Sequence, residues 1–161
     1  MKKIACFLFF ALTISCSSIQ NYSQNDLDLE FYREKTLVFQ MTSTGFQHIN
    51  MEGAYMGSVA KPDFKETFAE AVSEMAEETK LNLKTGVFPE SNIDVKVLDA
   101  NWRFKLSSAE LTTKINFHTS FGNYESVGTF KNGSGGSERK NLKKSFKNCI
   151  YNFLLDYQKR K

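Results

Sequence analysis

The chain has two histidines, three cysteines and one tryptophan in 161 residues, and these scarcities close off several kinds of chemistry. His48 and His118 stand about seventy residues apart, with no second histidine or carboxylate beside either at metal-ligand spacing. No metal and no cofactor are therefore expected. A phosphate-binding loop is missing as well: Gly133 to Gly136 sits between a predicted strand and a predicted helix but lacks the lysine-serine/threonine ending. Neither sign of charge dominates, since 21 basic against 18 acidic residues leave a net charge of +3, too small to imply nucleic acid. The longest apolar run, Ile4 to Ile14, is broken only by Thr13. As a helix it would measure roughly 16 Å, about half of a ~30 Å hydrocarbon core, so it is not a stable membrane span.

What is present begins at the first residue. Met1-Lys2-Lys3 is a short positive segment, the apolar run follows, and Ser15-Cys16 leads into a polar stretch reaching to about Asp28. A positive start, an apolar core and a small residue at the exit describe a signal peptide. Leu12-Thr13-Ile14-Ser15-Cys16 resembles the lipobox of bacterial lipoproteins, in which a small residue precedes the cysteine that receives a diacylglycerol. The stricter pattern has leucine three places before the cysteine; here Thr13 stands there and Leu12 is one place earlier. The resemblance implies cleavage before Cys16, lipidation of Cys16 and attachment to a membrane through the N-terminal lipid. The other reading is an ordinary signal cut near Ser15 or Ser18 that leaves a soluble periplasmic protein. Loss of residues 1–15 would also remove Cys6. With Cys16 lipidated, Cys149 remains alone and no internal disulfide can form. The remaining domain is large enough to bury a core without one.

Residues 16–29 read as a flexible tether and residues 30–161 as one domain. Leu37, Phe39 and Met41 alternate with Val38 and Gln40 as in a half-buried strand. Gly45 to Val59 predicts a second strand in part and loop in the rest. Asp63 to about Leu81 is an amphipathic helix with Phe64, Phe68, Ala71, Val72 and Met75 on its apolar stripe, and Asp63 with Glu66 resembles a capping box. Glu66, Glu70, Glu74, Glu77 and Glu78 face outward. From Ile93 to Leu106 the apolar phase is odd up to Val97 and even from Leu98 on, which predicts a β-bulge there or else a turn over Asp99 to Asn101. Ala109 to Phe121 alternates, Gly122-Asn123 predicts a two-residue hairpin turn, and Tyr124 to Phe130 returns. His118 falls on the polar face of this hairpin. After the loop Asn132 to Ser137, a helix from about Glu138 to Tyr157 buries Leu142, Phe146, Cys149, Ile150, Phe153 and Tyr157. Strand pair, helix, three-strand meander and helix together predict an α+β domain of two layers. A mainly antiparallel sheet of about four to five strands carries two amphipathic helices on one face.

Asp63 to Leu83, Ile93 to Phe104, the polar-faced strand, the glycine-rich loop and the final helix together resemble small envelope lipoproteins, namely the YajG-like, ABC-transporter auxiliary and lipopolysaccharide-assembly groups. That resemblance rests on element order and apolar pattern, and it implies helices packed on a small sheet and an accessory role in lipid or lipopolysaccharide transport. No catalytic residue is expected, because Cys149 lies on an apolar helix stripe and the glutamates form a solvated face. The expected function is non-enzymatic assembly through protein-protein contacts in an envelope complex. Ser17, following the cysteine, gives by analogy the periplasmic face of the outer membrane. Lys140, Lys143, Lys144 and Lys147 form a basic stripe that either meets an anionic partner or lies beside the acidic helix and is neutralised by it. The alternative function is binding of a lipid or other amphiphile in a pocket near Phe46, Met51, Tyr55 and Trp102.

Overall fold

A computed structural model describes residues 22, 24–42, 62–105, 108–133 and 137–160, and the backbone alone of 50–52. Its centre is an antiparallel meander of β4 (Ile93–Lys105), β5 (Ser108–Thr119) and β6 (Gly122–Asn132). On the other edge of β4 lie two short strands, both parallel to it: β1 (Leu37–Met41), opposite Ile93 to Val95, and β2 (Asn50–Glu52), opposite Asn101 to Arg103. Outside β1 comes β3 (Leu83–Thr85), again parallel, so the order is β3-β1-β4-β5-β6 with β2 further along β4. Helices α2 (Phe64–Thr79) and α3 (Glu138–Tyr157) cover one face, preceded by a single turn, α1 (Leu29–Tyr32). The fold is α+β, as the pattern predicts. The first two strands do not pair with each other, however, and β3 is too short to show a period.

The change of apolar phase is a bulge. Val97 pairs with Ile115 and Asp99 with Lys114, which leaves Leu98 as the extra residue, after which Ala100 and Trp102 return to the core face. The hairpin turn lies two residues earlier than the Gly122-Asn123 pair suggests. Thr119 pairs with Gly122 across Ser120-Phe121, and positive φ is needed only at Gly122 (+121°). The Thr119 hydroxyl accepts from the Phe121 amide at 3.1 Å and so replaces the backbone preference that an Asn-Gly type turn would supply. Both long helices begin at capping side chains: Asp63 Oδ1 accepts from Glu66 N at 2.7 Å and Ser137 Oγ from Lys140 N at 3.2 Å.

The core lies between sheet and helices. Phe39, Phe68, Phe117, Phe146 and Phe153 are fully buried, with Phe117 stacked on Phe153 at 4.5 Å and Phe39 edge-on to Phe68 at 6.1 Å. Such pairs contribute roughly 0.5–1.5 kcal/mol each beyond their buried area. Towards β6 the packing changes character. Small polar residues replace the rings: Thr113 and Ser145 share a hydrogen bond at 2.7 Å, Ser126 Oγ donates to Cys149 O at 2.8 Å, and Ser145 Oγ donates to Gly128 O at 2.8 Å. Asn148 and Asn152 then donate to the Thr129 and Val127 carbonyls of edge strand β6, at 2.6 and 2.9 Å, occupying two acceptors on β6.

The domain begins earlier than Leu29. Tyr22 OH donates to Asn148 Oδ1 at 2.8 Å and its ring meets Tyr151 edge-on at 5.4 Å. Asp26 and Asp28 are tied to Gln158, which donates to Asp26 O at 2.9 Å and accepts from Asp28 N at 2.8 Å, while Leu27 is buried. Residues 24–29 are therefore a strap along the outside of α3 rather than part of a tether. Its own polar side chains bond to backbone as well: Gln24 Nε2 donates to Glu78 O at 3.0 Å and Asp28 Oδ1 accepts from Phe31 N at 2.9 Å.

Candidate functional site

The charge segregation of the two long helices resolves into a seam. Glutamates at 66, 70, 74 and 78 recur every four residues on α2, and Arg139, Lys143 and Lys147 do the same on α3, so each set forms one line along its helix. The lines face each other. Arg139 pairs with Glu66 (2.8 Å) and Glu70; Lys143 with Glu70 (3.5 Å) and Glu74 (2.6 Å); Lys147 with Glu74 (3.0 Å) and Glu78 (2.6 Å). Lys147 is 0% exposed, whereas Glu74 and Glu78 keep 35% and 42% of their side-chain surface in water. Tyr22 covers the end of the seam, its ring centroid 5.0 Å from Lys147 Nζ.

This corrects the basic stripe. Lys143 and Lys147 are spent on α2, as the neutralised reading has it, and are not offered to a partner. Lys140 and Lys144 point elsewhere and make no ion pair among the described residues. Lys140 is exposed, Lys144 half-buried. Burial and the neighbouring Lys147 hold the Lys144 ammonium below its usual pKa. A shallow groove of about 350 Å³ opens here, lined by Glu70, Glu74, Ser137, Arg139, Lys140 and Lys144 among others.

The seam sets a pH dependence. The hydrogen bond from Arg139 holds the Glu70 carboxyl below its usual value. For Glu74, burial pushes upward, but the bonds from Lys143 and Lys147 outweigh it and the net direction is again down. A carboxylate lowered in the folded state adds stability above its unfolded pKa, and that stability is lost as pH falls through the folded value. The urea midpoint is therefore expected to hold steady down to about pH 5, the upper end of the carboxylate range, and to fall below it. In Glu70→Gln/Glu74→Gln that acid limb flattens.

The remaining predicted residues separate. Cys16, Phe46, Tyr55 and His48 lie outside the described residues. Met51 and Trp102 are register partners in the β2–β4 pair, so the backbone does bring these two together. Trp102 is 3% exposed and stacked on Phe104 at 5.7 Å, which makes it a core residue as the chain stands. Cys149 is fully buried, and burial pushes its thiol up to about 12, the reverse of what a nucleophile needs. His118 stands exposed on the wet sheet face, its Nδ1 2.9 Å from Asn123 Oδ1. On the same face Lys114 pairs with Glu125 at 2.5 Å. Charge composition alone could not have separated paired from free lysines; the four-residue spacing of the glutamates against positions 139, 143 and 147 could.

No protein-family model matches the chain, and no curated protein matches it. Among solved structures, one described as the crystal structure of an uncharacterized protein covers 77% of this chain and 90% of its own, with a TM-score of 0.43 and 4% identity. A likeness at that distance bears on neither chemistry nor partner. Among the described residues, no helix is long and apolar enough to cross a membrane.

Proposed function

We propose that the chain is a lipid-anchored lipoprotein of the cell envelope, attached through Cys16 on the periplasmic face of the outer membrane, that acts by holding a protein partner rather than by catalysis. The observation that carries this reading is the order Lys2-Lys3, apolar run, Ser15-Cys16 and polar stretch at the start of the chain. The domain supports it. Val87 and Phe88 in the β3–β4 loop are adjacent large apolar side chains, 60% and 80% exposed, of the kind a protein contact covers. Intact-mass analysis of the membrane fraction, with Cys16→Ala beside wild type, is the test. The expected result is an acyl mass that depends on Cys16. A soluble, unacylated chain cut elsewhere would sink the anchor and leave a free periplasmic binder.

A further inference from the structure

Among the described residues, the outer ridge of α3 is half covered and half bare. Positions 140, 144 and 148 lie on one line of the helix at four-residue spacing, with Tyr151 close beside it. From Asn148 onward Tyr22 and the strap of residues 24–29 lie along this ridge: Tyr22 on Asn148 and Tyr151, Asp26 on Tyr151 at 3.0 Å, Asp28 on Gln158. Ahead of Asn148 the ridge carries only Lys140 and Lys144. They stand in the first two turns of a 20-residue helix, at its positive end. Among the described residues neither makes an ion pair, although Glu74 and Glu78 act on the Lys144 ammonium at longer range. Nearby glutamates on α2 are engaged by Arg139, Lys143 and Lys147, and the first acidic residue of the whole sequence is Asp26, already placed on Tyr151.

We propose that Lys140 and Lys144 form a seat for anionic lipid headgroups, so that the domain lies with the outer ridge of α3 against the bilayer surface. Chain length limits the distance. Tyr22 is seated one helical turn, roughly 5.4 Å, from Lys144. Cys16 is six residues before Tyr22 and can be at most about 21 Å from it. A lipid on Cys16 therefore allows both lysines to reach the headgroup phosphates, and in that orientation the sheet face opposite the helices points away from the bilayer. The nearness to a membrane rests on the lipoprotein reading; the preference for an anionic surface does not.

The test uses the full chain recovered from membranes and reconstituted into vesicles of phosphatidylcholine, alone or mixed with phosphatidylglycerol, with dansyl-labelled headgroups. Trp102 is the only tryptophan, so energy transfer from it reports how closely the domain lies to the surface. Transfer is expected to rise when phosphatidylglycerol is present and to fall back in high salt. In Lys140→Gln/Lys144→Gln, the docking equilibrium is expected to weaken roughly 30-fold, two lysines' worth of attraction to an anionic surface. Lys159→Gln, at the other end of α3, is expected to leave it unchanged. Neither Lys140 nor Lys144 makes a side-chain hydrogen bond among the described residues, so the thermal transition of the double variant serves as the check on folding. Equal transfer in wild type and double variant, or no response to phosphatidylglycerol, overturns the seat. Displacement by inorganic phosphate at matched ionic strength overturns it too, since that marks a site for a free anion. The intact mass of the same samples reports acylation separately, so failure of the anchor and failure of the seat are distinguishable.

Discussion

Gly128→Ala is expected to cost about 3 kcal/mol or more, the upper end of what overpacking usually costs, and Gly128→Val is expected not to fold. A Cβ built at Gly128 would stand 2.1 Å from the Ser145 carbonyl oxygen, 2.8 Å from Cys149 Sγ and 2.9 Å from Cys149 N. Two of these three atoms are backbone, so no rotamer change relieves the contact. Helix α3 would have to lift away from β6. That movement would also break the Ser145 to Gly128 and Ser126 to Cys149 hydrogen bonds and leave buried polar groups without partners. A control is at hand in Gly133, where an added Cβ meets nothing within 4 Å. Denaturant melts of Gly128→Ala and Gly133→Ala decide the matter. Equal, small losses for the two would show that α3 does not approach β6 as closely as these distances say.

Much of this arrangement is legible in the sequence, and the part that is not has definite causes. Helix α3 runs from Glu138 to Tyr157 as its apolar stripe predicts, β1 from Leu37 to Met41, and Leu98 marks the bulge because a phase change in a half-buried strand has few other meanings. Period, however, gives a strand its faces and not its neighbours. The parallel pairing of β1 and β2 along one edge of β4 leaves no trace in either short segment. Strand β3 has three residues, fewer than two full alternations. Phe121 continues the alternation of β5 by chance; it stands in the turn, 65% exposed, while Thr119 takes the inward position. The strap of residues 24–29 is held by Gln158 and by single residues such as Leu27, a pattern that no periodicity registers.

The lysines show the same limit from the other side. Reading 140, 143, 144 and 147 as one stripe treats a helix face as flat, although consecutive positions are about 100° apart. Turning 143 and 147 towards α2 buries Lys147, engages Lys143 in ion pairs and leaves 140 and 144. The candidate site is thus smaller than the sequence suggests and sits beside the seam rather than on it. The wet face of the sheet, by contrast, follows directly from the alternation of Lys114, Asn116 and His118 with Ile115 and Phe117.

The seam itself carries the second large effect, and the expected result depends on which partner is removed. In Glu74→Gln/Glu78→Gln the Lys147 ammonium remains buried with no carboxylate, because its two ion pairs are with these residues. Breaking a buried pair from one side costs roughly 3–5 kcal/mol, most of it the desolvation of the charge left behind. Lys147→Met removes the buried charge instead and keeps most of the side-chain volume. The carboxylates it abandons are 35% and 42% exposed, so water can hydrate them, and Glu74 still has Lys143 at 2.6 Å. Lys147→Met is therefore expected to lie within about 1 kcal/mol of wild type, on either side, as hydrophobic replacements of buried ion pairs often do. Urea melts at neutral pH and at raised salt separate the two cases. Loss in the double glutamine variant should persist in salt, since Lys147 is out of reach of screening ions. If Lys147→Met loses as much as the double variant, the seam is a net source of stability. If both lose little, Lys147 is not buried as described, and Tyr22 does not close the end of the seam.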